Sequence, residues 1–104
     1  MIISTTSELQ GKNIKEYRGV VFGEVVNGIE YAKDLSVAFT NMLGGRSKEY
    51  EEEIVNSRAD ALREMMERAE KIGANAIVGV KVDYETIQGG MIMVVASGTA
   101  VIVE

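Results

Sequence analysis

Residues 91–103 read Met-Ile-Met-Val-Val-Ala-Ser-Gly-Thr-Ala-Val-Ile-Val and carry no charge. Alternate side chains of a strand point to opposite faces, and here both faces are apolar, which favours a strand covered on both sides. The uncharged stretch begins at Thr86, which brings it close to membrane-span length. Gly89-Gly90 and residues 97–99 interrupt it, so we interpret it as a strand after a turn. One predicted face carries Met91, Met93, Val95, Val101 and Val103, and the other carries Ile92, Val94, Ala96, Ala100 and Ile102.

A half-buried strand is predicted over residues 75–86, joined to the last strand by a hairpin turn at residues 87–90. Apolar and polar side chains alternate along it, as they do in a strand with one buried face. We place Ala76, Val78, Val80, Val82 and Tyr84 on one face and Gly79, Lys81, Asp83 and Glu85 on the other, with Ile77 as the exception.

A long helix is predicted from Lys48 to Ile72, ahead of this strand. Ser47 is the predicted cap, and the glutamates that follow lie where the helix dipole favours negative charge. Gly73 offers the left-handed conformation that ends a helix. The apolar stripe of the helix consists of Ile54, Ala61, Leu62, Met65, Met66, Ala69 and Ile72.

The first part of the chain predicts a short strand over residues 2–5 and a longer one over Tyr17–Val26. Within the longer strand, Gly19 and Gly23 indicate a bulge or a close backbone approach. A short extra helix is predicted over Leu35–Leu43.

These elements predict one α+β domain, residues 1–104, with two layers. The long helix covers one face of an antiparallel sheet with a strand-helix-strand-strand core. The last strand lies between the other two long strands, because every neighbouring pair is then antiparallel.

The second face of this sheet leads us to expect a homo-oligomer. The helix covers one face, whereas the last strand is apolar on both. Exposed apolar patches of that size usually mark interfaces, and open sheet edges invite strand pairing between subunits. In the alternative, the short helix and the N-terminal strand fold over the second face.

Composition restricts the function. Sixteen acidic and 11 basic residues give a net charge of −5 without any basic run, which disfavours nucleic acids and anionic membrane surfaces as partners. The chain contains no cysteine and no histidine, so thiolate chemistry and the usual general base near neutral pH are excluded. The absence of disulfides suits a reducing compartment, and residues 1–8 do not resemble a signal peptide. We therefore assign no catalytic residues.

The first candidate site binds a small anion. Gly44, Gly45, Arg46 and Ser47 lead directly into the long helix, and free backbone N–H groups beside Arg46 could hold an anion there. The alternative is that the same residues only end one helix and cap the next.

The second candidate site binds a metal ion. Asp83 and Glu85 lie on one strand face, and Glu24 is a further ligand if its strand is near. Such carboxylates could hold a hard cation such as Mg²⁺ or Ca²⁺. The alternatives are a solvated strand face and salt bridges between subunits. A soft-metal site at Met65-Met66 and Met91-x-Met93 competes with ordinary core packing of methionine.

Seven stretches, spread in order over the whole chain, follow one family pattern. They are Thr5-Thr6; residues 19–26, with Gly23-Glu24-Val25-Val26; Gly44-Gly45-Arg46-Ser47 with Tyr50-Glu51; residues 73–80; residues 83–86; Met91-x-Met93-Val94; and residues 96–101. On these residues the chain resembles the YbjQ-like family, which is described as "putative heavy-metal-binding".

The resemblance implies a dodecin-like subunit in a ring, a pentamer, within a bacterial or archaeal cytoplasm. It supplies no catalytic residues. The heavy-metal description fits this chain badly, because soft metals favour cysteine and histidine.

Three functions stay open. The first is a ring-forming binding module of unknown ligand, with its site between subunits at residues 44–47 or at Asp83 and Glu85. The second is a structural scaffold without a small ligand. The third is an enzyme that uses carboxylates on a phosphorylated or small polar substrate.

Overall fold

Four strands and one long helix make up the part of the chain that the structure, a computed structural model, describes: residues 1–26, 48–87 and 91–104. In chain order they are β1 (Ile2–Ile3), β2 (Ile14–Val26), α1 (Lys48–Lys71), β3 (Ala76–Thr86) and β4 (Ile92–Val103). The predicted α+β class and the long elements are confirmed, with β2 starting earlier than expected. The predicted short helix at Leu35–Leu43, the residues Gly44 to Ser47 and positions 88–90 of the predicted turn lie outside the described residues.

The sheet has the strand order β1-β3-β4-β2, so the last strand is central as predicted. β4 pairs antiparallel with β3 and with β2. The prediction of a wholly antiparallel sheet is wrong, because β1 pairs parallel with β3, with Ile2 opposite Ala76 and Ile3 opposite Ile77. Both edges of β4 are already used, so β1 can only extend the sheet at an outer edge. The N-terminal strand therefore lengthens the sheet and does not cover its second face.

A β-bulge at Gly79 changes which way the side chains of β3 point. The pairing with β4 shifts between Val78 and Lys81, and Gly79 has a φ of 61°, which favours glycine. Ile77, Val80 and Val82 pack in the core beneath α1, whereas Ala76 and Val78 pack on the opposite side. The prediction of one continuous alternation over 76–84 is therefore wrong, and the bulge explains why Ile77 was the exception.

The core lies between α1 and the sheet. Ala61, Met65 and Ala69 form a stripe along α1 that is fully buried. This stripe lies directly on Gly23, where an added Cβ would be 1.9 Å from the Ala61 carbonyl oxygen. Gly19 has a φ of 127° at the irregular pairing between Tyr17 and Gly19. Both predictions about the β2 glycines are confirmed: one marks a bulge and the other a close approach.

The C-terminus of α1 ends on Gly73 in the left-handed conformation, as predicted, with a φ of 83°. The Gly73 N–H donates to the Glu70 carbonyl at 3.0 Å, and the Ala74 N–H donates to the Ala69 carbonyl at 3.0 Å. This pair of bonds is the Schellman motif, and Ala69 and Ala74 supply its apolar contact within the core. The last helical residue is Lys71, one position before the predicted end.

The second face of the sheet is covered by the chain itself at one end. Leu9 and Ile14 pack against a small buried cluster on that side, which consists of Ala76, Val78, Val101 and Val103. The expectation that this face needs cover from outside the chain is therefore wrong at this end. Further along β2, the side chains of Val20, Phe22 and Val26 are 67%, 45% and 51% exposed.

The molecule is elongated, with extents of 52 × 23 × 16 Å. Its radius of gyration is 16.7 Å, whereas a compact domain of this length has about 13 Å. The long strands of the sheet account for this shape. Within the described ranges, no helix has the length and apolar character needed to cross a bilayer.

Candidate functional site

The side of the sheet away from α1 carries an uncovered surface, which we call the open face. Residues directly opposite each other on neighbouring antiparallel strands share a face, so the pairings define its membership. β2 contributes Val20, Phe22, Glu24 and Val26, β4 contributes Met93 and Val95, and β3 contributes Lys81, Asp83 and Glu85. The open face thus has an apolar half on β2 and β4 and a charged stripe on β3.

The three carboxylates of the predicted metal site share this face. Glu24 and Asp83 are both opposite Val95, on its two sides, and Glu85 is opposite Met93. Two strand spacings, about 9–10 Å, therefore separate the backbones of Glu24 and Asp83.

Each of these two carboxylates has a cationic neighbour. Glu24 lies 3.2 Å from Arg68 Nη1, and Asp83 lies 3.5 Å from Lys81 Nζ. Both carboxylate side chains are about half exposed, so these pairs are surface ion pairs of small energy. Among the described residues, no three acidic side chains come close enough to hold a metal ion together. One subunit therefore presents Glu24, Asp83 and Glu85 on a common face but does not gather them.

The thioether candidates divide between core and surface strand. Met65 is fully buried in the core beneath α1, where Met66 packs against it in part. Met91 and Met93 are half-buried at the far end of the hairpin. Core packing accounts for Met65 and Met66 without a metal.

A groove between α1 and β2 is a feature that the sequence did not reveal. It has a volume of about 510 Å³ and is lined by Val25, Asp60, Arg63, Glu64, Glu67, Arg68 and Lys71. Arg63 Nη2 lies 2.8 Å from Asp60, and Arg68 pairs with Glu64 on the same helix. The spacings of three and four residues were visible signals of these helical pairs. The reach of Arg68 to β2 was not visible, because it depends on the strand order.

Two arginines join β2 to α1. Arg68 Nη1 donates to the backbone carbonyl of Phe22 at 2.7 Å. At the other end of the helix–strand contact, Arg18 Nε donates to the Ile72 carbonyl at 2.7 Å, and its Nη1 lies 2.8 Å from Glu16. Arg18 thus places a positive charge at the negative end of the α1 dipole.

Several residues that carry the family resemblance have structural roles at the Gly79 bulge. The Gly79 N–H donates to the Thr6 carbonyl at 2.8 Å, and the Val80 N–H donates to the Ser4 carbonyl at 3.0 Å. The Thr6 hydroxyl donates to the Glu8 carbonyl at 2.5 Å and lies 2.6 Å from the Ser4 hydroxyl. The N-terminal segment therefore satisfies the backbone groups that the bulge frees from the ladder.

These features define a class: a small two-layer α+β subunit whose helix covers one sheet face and whose other face is only partly covered. Comparison with known proteins gives the family. The model of the YbjQ-like family, described as "putative heavy-metal-binding", matches residues 1–104. The chain belongs to this family.

Relatives match along the full chain. A UPF0145 protein of Acetivibrio thermocellus is 55% identical, and one of Clostridium kluyveri is 53% identical, each over the full length of both chains. A UPF0145 protein of Listeria monocytogenes is 50% identical over all of this chain and 96% of that relative.

A solved structure shares the fold. It is a crystal structure at 2.73 Å resolution of a protein with unknown function, of the DUF74 family, from Pediococcus pentosaceus. The alignment has a TM-score of 0.55 and 17% identity, and it covers 100% of this chain and 98% of the other. At that identity the likeness shows the fold alone.

Proposed function

We propose that this protein is a homo-oligomeric binding module, whose subunits associate through the open face and hold a small ligand between them. The observation that carries the proposal is the exposure of three large apolar side chains on one strand of that face, Val20, Phe22 and Val26. A monomer would leave this apolar half in water, whereas a second copy would remove it from water.

A ring is the assembly that we favour. The family resemblance implies a closed ring, a pentamer. A subunit with one covered and one open sheet face suits a head-to-tail contact, because such contacts join two different surfaces and close into rings. We place the ring in the bacterial cytoplasm, in line with the absence of cysteine from the chain.

The ligand that the chemistry of the open face favours is a hard cation. Carboxylates are the ligands that Mg²⁺ and Ca²⁺ prefer, and the chain has neither the cysteine nor the histidine that soft heavy metals favour. Because one subunit keeps Glu24 and Asp83 about two strand spacings apart, a complete site needs a carboxylate from a neighbour.

A cation titration by calorimetry tests this ligand. We expect Ca²⁺ or Mg²⁺ to bind the purified oligomer, and Asp83→Asn to weaken that binding at least about tenfold. Asp60→Asn is the matched control, because Asp60 lies on α1 and pairs with Arg63 away from the open face. Equal binding by the two variants would contradict the cation site.

Two other ligand outcomes stay measurable with the same protein. An oligomer that binds neither cation nor phosphate supports a scaffold. Phosphate binding that Arg46→Ala abolishes, with the oligomer intact, supports the anion site at residues 44–47.

A further inference from the structure

The outer edge of β2 is exposed and has a composition that favours pairing with other strands. β2 is the last strand on its side of the sheet and runs over 13 residues, Ile14–Val26. Its segment 20–26 reads Val-Val-Phe-Gly-Glu-Val-Val, with strong β-formers, one charge and no proline. A long, apolar edge strand of this kind is a template for adding strands from other chains and for aggregation.

Arg68 lies across this edge. Its Nη1 donates to the Phe22 carbonyl at 2.7 Å, so that carbonyl points away from β4 toward the edge. The same nitrogen lies 3.2 Å from a Glu24 carboxylate oxygen, and Nη2 pairs with Glu64 one turn earlier on α1. Three acceptors on two elements therefore hold the guanidinium in place, and a planar fork of donors suits such a geometry.

The contact has a direct consequence for strand addition. A strand that joins β2 must donate an N–H to the outward carbonyls of β2, and the Phe22 carbonyl is one of them. Arg68 already occupies this acceptor, so an incoming strand must first displace a charge-assisted hydrogen bond. The side chain of Arg68 is 44% exposed, so it meets an incoming chain before the backbone does.

We propose that Arg68 protects the edge of β2 against strand addition by further copies of this chain. Glu64 and Glu24 act as positioning residues that keep the guanidinium over the Phe22 carbonyl. The protected surface is the edge of the sheet, so this role is separate from association through the open face and does not depend on it.

The test compares Arg68→Ala with Arg63→Ala. Both remove one arginine from α1, but Arg63 pairs with Asp60 within the helix and, among the described residues, makes no bond to β2. We expect Arg68→Ala to form species larger than the wild-type assembly. The lag time before thioflavin fluorescence rises should shorten by about tenfold or more, the factor that corresponds to losing one hydrogen bond to a charged group.

Two further measurements separate edge protection from simple destabilisation. The variants are compared at temperatures where urea denaturation gives equal unfolded fractions. Hydrogen exchange then locates the new contact: backbone amides in residues 20–26 should become protected in the Arg68→Ala aggregates. Arg68→Lys, which keeps one donor over the edge, should have an intermediate lag time.

Equal lag times for Arg68→Ala and Arg63→Ala would overturn the proposal, as would protection that leaves residues 20–26 exchanging. The wild-type assembly, measured beside the variants, reports on the open-face interface independently. A monomeric wild type would contradict the proposed oligomer and leave the comparison of the two arginines intact.

Discussion

A side chain at Gly23 would overlap the main chain of Ala61, because an ideal Cβ built on Gly23 lies 1.9 Å from the Ala61 carbonyl oxygen and 2.8 Å from the Met65 nitrogen. Neither atom belongs to a flexible side chain that could move aside. The helix therefore rests on the backbone of β2 at this point, and its distance from the sheet depends on a residue without a Cβ. This contact fixes α1 over β2, and with it the reach of Arg68 to the strand edge.

Gly23→Ala should lower the free energy of unfolding by about 1–3 kcal/mol or more, because α1 must move away from the sheet. Urea denaturation at fixed protein concentration measures the change. Gly11→Ala is the control, since a Cβ there meets no atom within 4 Å and the cost arises only from its φ of 81°. If the two alanines cost the same, the close approach at Gly23 does not matter for stability.

Arg18→Ala should lower the stability by about 1 kcal/mol, because it removes the hydrogen bond to the Ile72 carbonyl at the C-terminus of α1. The loss should be smaller at high salt, since the side chain is partly exposed and the interaction is screened. Thermal unfolding at two salt concentrations checks both points. Lys15→Ala, which removes a surface pair with Glu104 at 3.6 Å, should change the stability much less.

Asn75→Ala should lower the stability by about 1–2 kcal/mol. The Asn75 side chain donates to the Val103 carbonyl at 2.9 Å and accepts from the Val103 N–H at 2.8 Å, so it extends the β3–β4 ladder by one position. Asn75→Asp should also destabilise, because it sets a carboxylate oxygen against that carbonyl. Asn13→Ala is the control: Asn13 pairs with Glu104 through its main chain, and that pairing survives the substitution.

Val20→Glu should weaken self-association by at least about tenfold, because it introduces a charge at the most exposed apolar position of the open face. Val20 is 67% exposed in the single subunit, so the fold itself should tolerate the change. Val55→Glu is the matched control, since Val55 is 49% exposed but lies on α1. Sedimentation velocity over a dilution series measures both variants, and equal dissociation would contradict the open face as the interface.

The sequence predicted those features that follow from local pattern. The uncharged, two-faced apolar run at residues 91–103 indicated a central strand, and the helix ended on Gly73 because only a left-handed residue completes that motif. The bulge at Gly79 was not predicted, because the alternation was assumed to be continuous; Ile77 was the signal of the break. A two-residue strand such as β1 carries too little pattern to reveal its partner.

The candidate site followed the same division. Period-two alternation predicted that Asp83 and Glu85 share a face. The spacing between Glu24 and Asp83 depends on β4 lying between their strands, so only the topology shows that one subunit does not gather the carboxylates. The Arg68–Phe22 bond joins residues 46 positions apart and was likewise not visible in the sequence.

Native mass spectrometry of freshly purified protein tests the central claim most directly, because it counts subunits and retained ligands in one spectrum. We expect one closed assembly of identical subunits, a pentamer, with the additional mass of bound cations that disappears after chelation. A monomer at micromolar concentration would contradict the account, since the exposed side chains of Val20, Phe22 and Val26 would then lie in water without a partner copy.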